Sequence, residues 1–214
     1  MVAGWISDGI GKSIRALARH PGARRLLERL AQEIDEAVED RTGTGSTRSL
    51  YQMRLSRPPT KVVEPLATMP YRPGVDDAAL LGVLQAAFAW HPEEQWDQSR
   101  LQAESAAAGF QPSDVLLARS EGQVVGCCWT KVHTGGEAPR GEIVIAGVRP
   151  EHAGKGFGTR MVAAGLDHLW DQGMDWVYLY VESSNLRAVR AYLRLGFSVY
   201  RTEHRFGEPP LVIP

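Results

Sequence analysis

From Asp76 to Trp90, the residues Leu80, Leu81, Leu84, Ala87 and Phe88 recur at helical spacing. Asp76 and Asp77 put carboxylates at the end of that pattern where a helix is positive. This predicts a helix ending near Trp90, and a second is expected over 94–108, closed by Gly109. Apolar runs at 115–118 and 124–132, separated by Glu121-Gly122-Gln123, predict an antiparallel hairpin. A third strand is expected over 142–148. Next comes a helix over Phe157–Asp171 with Val162, Leu166, Leu169 and Trp170 on one face, then a fourth strand over 176–181. A helix over 185–195 stopped by Gly196 and a last strand over 197–206 complete the series, so strands and helices alternate as in an α/β fold with a mixed sheet.

The first quarter of the chain reads differently. Residues 12–30 carry Lys12, Arg15, Arg19, Arg24, Arg25 and Arg29, whereas 28–40 carry Glu28, Glu33, Asp35, Glu36, Glu39 and Asp40, an order that would oppose the dipole of one continuous helix. Pro21 suits the first turn of a separate helix, expected over 21–38. Within it Arg24/Glu28 and Arg29/Glu33 lie four residues apart, the pattern of a solvated, salt-bridged face rather than a nucleic-acid surface. After a turn at 42–47, residues 48–55 alternate as a strand. Pro58, Pro59, Pro65 and Pro70 then mark an extended linker. The expected organisation is a helix and strand extension over 1–57, a linker over 58–70, a catalytic-sized domain over 71–206 and a tail over 207–214.

Composition narrows the function classes. With 214 residues, 43% apolar, 23% charged and 8% aromatic, the chain can bury a core, and whole-chain disorder is excluded. A formal net charge of −1 provides no global field for a polyanion, so no nucleic-acid partner is expected. No apolar run approaches the ~20 residues of a membrane span, and the N-terminal order of charged and apolar residues is not that of a signal peptide. A soluble, cytoplasmic protein without a membrane partner is expected. Cys127 and Cys128 are adjacent in a predicted strand and point to opposite faces, which suits buried small hydrophobes. His91, His133 and His152 fall at no ligand spacing, so no metal is expected.

Chemistry concentrates where the strand ending at Val148 runs into Arg149-Pro150-Glu151-His152-Ala153-Gly154-Lys155-Gly156-Phe157-Gly158-Thr159 and opens a helix. Glycines let backbone N–H groups approach a ligand, a helix N-terminus adds positive potential, and Lys155 adds a full charge. The physical expectation is a phosphate or pyrophosphate cradle. A Walker A loop fails because the interval from Gly147 to Gly154 is too long and Lys155 is followed by Gly156. A dinucleotide fingerprint fits better, with Glu182 as a ribose-binding acid, but its third glycine position falls on Thr159, one residue out of register.

The same segment resembles the acetyl-CoA loop of the GCN5-related N-acetyltransferases, Gln/Arg-x-x-Gly-x-Gly/Ala, through Gly156 and Gly158, with Ala153 where that pattern has Gln or Arg. Asn185-Leu186-Arg187-Ala188-Val189-Arg190-Ala191-Tyr192-Leu193-Arg194-Leu195-Gly196-Phe197 is similar to the family's Asn-x-x-Ala-x-x-x-Tyr-x-x-x-Gly-Phe signature. Within the family, 129–133, Gly141-Glu142, 179–183 and His91-Pro92-Glu93 look like the C-terminal catalytic repeat of the mycothiol synthase group, whose members resemble two fused repeats. Residues 23–30 and 48–54 look like only the last helix and strand of a first repeat.

The resemblance implies a mostly antiparallel mixed sheet flanked by helices and transfer of an acetyl group from acetyl-CoA to the primary amine of a small molecule. A cysteinyl amine is one possible acceptor. Donor-binding positions would be Ala146, Gly147 and Val148 along the strand; Ala153, Gly154, Lys155, Gly156, Phe157, Gly158 and Thr159 in the loop; and Asn185, Arg187, Ala188 and Arg190 on the following helix. Glu142 would be the general base and Val148 N–H the oxyanion donor. Tyr192, protonated at its ordinary pKa of ~10, would be the general acid. Glu93, Lys131 and Tyr180 would meet the acceptor. On pattern alone Tyr192 is a core residue with a polar tip and Glu142 a strand-end carboxylate. The other class of function for such a chain is a catalytically silent CoA-binding or interaction module. A shortened first repeat would leave a more open acceptor groove, or expose a face that a homodimer could cover.

Overall fold

The structure is a computed structural model that describes residues 47–56, 63–135, 138–206 and 208–213. Its first strand, β1 (Thr47–Ser56), alternates apolar and polar residues from Tyr51 to Ser56, with Tyr51, Met53 and Leu55 turned inward. β2 (Thr68–Pro70) is short. It is followed by α1 (Asp77–Phe88), α2 (Gln98–Ser105), β3 (Val115–Ser120), β4 (Gln123–His133), β5 (Arg140–Val148), α3 (Phe157–Asp171), β6 (Trp176–Glu182), α4 (Leu186–Arg194) and β7 (Ser198–Phe206). The strands form one seven-stranded sheet in the order β2-β3-β4-β5-β6-β1-β7. β2/β3, β3/β4, β4/β5 and β1/β6 pair antiparallel, and β5/β6 pair parallel through the α3 crossover.

Helices cover both faces. A Cβ on Gly147 would touch Ala87 and Phe88 of α1, whereas one on Gly141 would touch Leu169 of α3 and one on Gly165 would meet the Cys128 thiol. Cys127 belongs to the core under α1 and Cys128 faces α3, the opposed placement expected of adjacent strand residues. Burial in apolar surroundings pushes the Cys127 thiol up to about 12 and Cys128 higher still, which makes both poor nucleophiles. The core under α1 gathers Leu80, Leu84, Trp96, Leu101, Leu117 and Trp129.

Three sequence expectations change in detail. α2 spans Gln98–Ser105 rather than 94–108, because the Asp97 side chain caps it at the Arg100 N–H and buried Trp96 is held outside it by Gln85, which donates to the Trp96 carbonyl. The end of the proline-rich stretch is β2, with Met69 opposite Leu117. Pro70 is tolerated there because β2 is an edge strand with no second neighbour. The strand expected within the N-terminal extension is β1, which lies between β6 and β7, so the compact unit begins at Thr47. The helix expected over 21–38 lies outside the described residues. Among those described, no helix is long and apolar enough to cross a membrane.

Since Met53 is fully buried in β1, Met53→Ala should cost about 2–5 kcal/mol in urea unfolding. Ser56→Ala at the exposed end of β1 should stay within about 0.5 kcal/mol. Equal small effects would mean that β1 is not part of the cooperative fold.

Candidate active site

β5 changes partners along its length. Its parallel pairing with β6 covers four positions, from Arg140↔Trp176 to Ile143↔Leu179, and a bulge on β5 then breaks the β4 register between Ile143 and Ile145. The extra residue, Val144, is exposed. Beyond it, among the described residues, β5 continues against β4 alone. Arg149 N–H donates to the Val125 carbonyl, which makes Gly126↔Val148 and Cys128↔Ala146 the pairs whose backbone groups point away from β4. The N–H and C=O groups of Ala146 and Val148 therefore line an edge facing the side from which β6 has departed. Gly147 is paired inward, as the register requires.

β5 then enters the glycine loop. Pro150–His152 is a single 3-10 turn, and Gly154 and Gly156 take φ of +77° and +80°, a conformation that glycine adopts without strain. Gly156 occupies the N-cap of α3 and has no side chain to satisfy the first-turn N–H groups, which stay available to an anion. Among the described residues, a Cβ at Gly154, Gly156 or Gly158 would meet nothing within 4 Å, so the loop fronts open space. Lys155 Nζ donates to the Glu151 carbonyl at 3.0 Å, which holds its charge over the loop. Ala153, Phe157 and Thr159 flank this cradle as the sequence places them.

α4 is built by its caps. Asn185 Oδ1 accepts from Ala188 N–H at 3.0 Å, the usual N-cap bond, so two of the expected donor-binding residues are joined in starting the helix. At the other end Gly196 N–H donates to the Leu193 carbonyl and Phe197 N–H to the Tyr192 carbonyl, a Schellman motif with Gly196 at φ +93°. The Phe197 ring packs on the Tyr192 ring, centroids 5.9 Å apart. These bonds fix where Tyr192 stands. Burial and the nearby Cys128 thiol raise its pKa well above the ordinary phenol value, so it carries its proton at neutral pH. Arg187 and Arg190 are exposed on the same helix.

Glu142 lies in the last stretch where β5 still pairs with β6. Its Oε2 is 2.6 Å from His133 Nε2 and accepts from the Tyr178 hydroxyl at 2.9 Å. Burial, then the Glu142 charge and this hydrogen bond, raise the Tyr178 pKa. Lys131 is directly opposite Glu142 on β4 and is exposed. Tyr180 follows Tyr178 on the same face of β6, and its hydroxyl accepts from Gln52 at 2.9 Å. Lys131 and Val144 also line a cavity of about 150 Å³, whose other walls include Trp96, Arg100, Phe110 and Trp129.

Glu93 lies with a different group. Arg48 Nη1 is 2.7 Å from Glu93 Oε1 while its Nε donates to Glu182 Oε1 at 2.9 Å, and Arg205 bonds Glu93 at 3.1 Å. His91 Nε2 stands 3.7 Å from the same Glu182 oxygen. Arg48 holds the Glu93 carboxyl below its usual pKa range. Glu142, Lys131 and Tyr180 thus share one face, and Glu93 joins it at the far end of β6 through Arg48 and Glu182. Sequence reasoning gave four of these side chains no role in the site: His133 and Glu182 were weighed individually only for metal and ribose chemistry and otherwise fell within segments of family resemblance, and Tyr178 and Arg48 were not assigned a function.

The profile of the Acetyltransferase (GNAT) family matches residues 80–197. The chain belongs to that family. It is 35% identical over 209 residues to a mycothiol acetyltransferase of Acidimicrobium ferrooxidans, covering 92% of this chain and 66% of that protein. To the mycothiol acetyltransferase of Nocardia farcinica it is 36% identical, covering 89% and 66%. The chain thus spans about two thirds of the length of these curated relatives. A GCN5-related N-acetyltransferase from Sphaerobacter thermophilus superposes with a TM-score of 0.63 at 22% identity, covering 84% of this chain and 58% of that one. That likeness confirms the mixed-sheet fold.

Arg48 and Glu182 are both nearly buried, so removing one strands the other's charge. Arg48→Met should cost about 3–5 kcal/mol in urea unfolding, and the double variant Arg48→Met/Glu182→Leu should recover part of that loss. A double variant as unstable as the sum of the singles would mean the pair does not act as a unit.

Proposed function

We propose that this chain is an acetyl-CoA-dependent N-acetyltransferase whose acceptor is the primary amine of a small molecule. The observation that carries the reading is the position of Glu142, a hydrogen-bonded carboxylate at the point where β5 and β6 part, next to the free edge of Ala146 and Val148. The glycine loop fits the pyrophosphate of the donor, since three glycines front open space at a helix N-terminus. The free edge fits the amide groups of the pantetheine arm, which would add to β5 like a further strand. Bound there, acetyl-CoA supplies a thioester-activated acetyl group.

The chain's own residues then divide the work. Glu142 removes a proton from the acceptor ammonium, because only the neutral amine carries a lone pair. Val148 N–H, pointing into the splay, donates to the oxygen on which negative charge grows. Tyr192, kept protonated by burial, donates to the departing sulfur. The acceptor lies over Lys131, Tyr180 and the cavity beside them, where aromatic walls and mixed charges suit a polar amine with an apolar backbone. A cysteinyl amine is the acceptor to try first, in view of the names of the relatives at 35% and 36% identity. A cytoplasmic setting fits the demand for acetyl-CoA.

Glu142→Gln and Tyr192→Phe should each lower kcat by about 10²- to 10⁴-fold with acetyl-CoA affinity unchanged, measured by thiol release from acetyl-CoA against a panel of amines that includes desacetylmycothiol. Unaltered rates in either variant would remove that residue from the mechanism. Gly158→Glu should abolish acetyl-CoA binding in calorimetry without backbone strain, since it adds negative charge to the cradle at a position whose φ is not left-handed. Wild-type binding of acetyl-CoA with no turnover of any amine would favour the silent CoA-binding module.

A further inference from the structure

Three strands converge on one carboxylate oxygen. His133 ends β4, Glu142 lies near the start of β5 and Tyr178 near the start of β6. Glu142 Oε2 lies 2.6 Å from His133 Nε2 and 2.9 Å from the Tyr178 hydroxyl, and the hydroxyl and the imidazole nitrogen are 3.1 Å apart. An imidazole nitrogen and a carboxylate oxygen at 2.6 Å repel unless a proton lies between them. With Tyr178 already donating to Oε2, the consistent arrangement is an Nε2–H on His133 and a carboxylate that accepts two bonds on one oxygen. Among the described residues no hydrogen bond reaches Oε1, and Lys131 is the residue opposite on β4.

The geometry points to His133 and Tyr178 as positioning residues for proton transfer: they clamp Oε2 of Glu142 and so aim Oε1 at the acceptor amine. The inference rests on the reading of Glu142 as the general base. In the step it serves, the ammonium N–H bond breaks and an O–H bond forms at Oε1. The electron pair stays on nitrogen as the nucleophile, and the proton later leaves Oε1 for water. A carboxylate on a four-bond side chain has rotational freedom that two donors from two other strands remove, and misplacing a reacting atom by about 1 Å costs on the order of 10²-fold in rate. The clamp also sits at the last paired stretch of β5 and β6, so its position is tied to the same backbone that opens the donor edge. The Tyr178 ring, 6.0 Å from that of Tyr180 and nearly perpendicular to it, links the clamp to the acceptor face.

The test combines kinetics with a spectroscopic readout that needs no acceptor. In the wild-type protein the His133 Nε2–H proton should resonate well downfield of the other histidines, as charge-assisted bonds do, and should lose that displacement in Glu142→Gln. With acetyl-CoA and S-methyl-L-cysteinamide as the probe amine, His133→Leu should lower kcat about 10- to 100-fold and leave acetyl-CoA affinity unchanged. His133→Gln, which keeps a side-chain N–H donor, should recover most of the rate, and Tyr178→Phe should lose about tenfold. In a Glu142→Gln background His133→Leu should add nothing, because its target is gone. An ordinary His133 resonance, wild-type kcat in His133→Leu, or an equal loss in both backgrounds would each overturn the clamp. Full activity in Glu142→Gln would instead overturn the reading of Glu142 as base, so the two failures are distinguishable.

Discussion

The hydrogen bonding between β5 and β6 lasts for four residues and then stops, and the rest of the site depends on that interruption. A continued parallel ladder would consume the N–H and C=O groups of Ala146 and Val148 and close the sheet. The bulge at Val144 instead keeps β5 on β4 while freeing its other edge. Unpaired backbone groups inside a fold are costly unless something satisfies them, so a ligand that brings its own amides is the natural complement. The same interruption sets the positions of the side chains. Glu142 remains in the paired stretch with Tyr178, and Tyr192 approaches near Cys128, whose strand partner is Ala146.

What β5 releases, β1 recovers on the other side of β6. β1 pairs with β6 over seven positions, from Leu50↔Glu182 to Ser56↔Trp176, and Arg48 adds a buried ion pair to Glu182 at the end of that ladder. Both edges of β6 could not be loosened together without losing its place in the sheet. The Arg48 guanidinium joins two carboxylates from distant segments, Glu93 before α2 and Glu182 at the end of β6. The proposed acceptor face is thereby anchored at one end by Arg48 and at the other by the hydrogen-bonded group on Glu142.

The readable parts of the sequence were those whose signal is local. Phe157–Asp171 forms as expected because its apolar stripe and flanking glycines specify both face and start. The Asn185 to Phe197 signature was legible as a motif, and the structure supplies its cause: an N-cap, a Schellman stop and a phenylalanine that clamps Tyr192. β2 was hidden by prolines that an edge strand tolerates. Tyr178 and His133 could not be read as partners of Glu142, because the parallel register of β5 on β6 leaves no trace in spacing. Arg48 and Glu182 meet across 134 positions, and no periodicity carries that distance.

In the proposed reading, the open edge of β5 at Ala146 and Val148 takes up the donor's pantetheine arm. Residue-resolved hydrogen exchange with and without saturating CoA tests it directly. The Ala146 and Val148 amides should exchange quickly in the free protein and become strongly protected with CoA. The Gly147 and Arg149 amides, paired with β4, should be protected in both states. Ala146 and Val148 already protected without CoA, or unchanged when it is saturating, would contradict it.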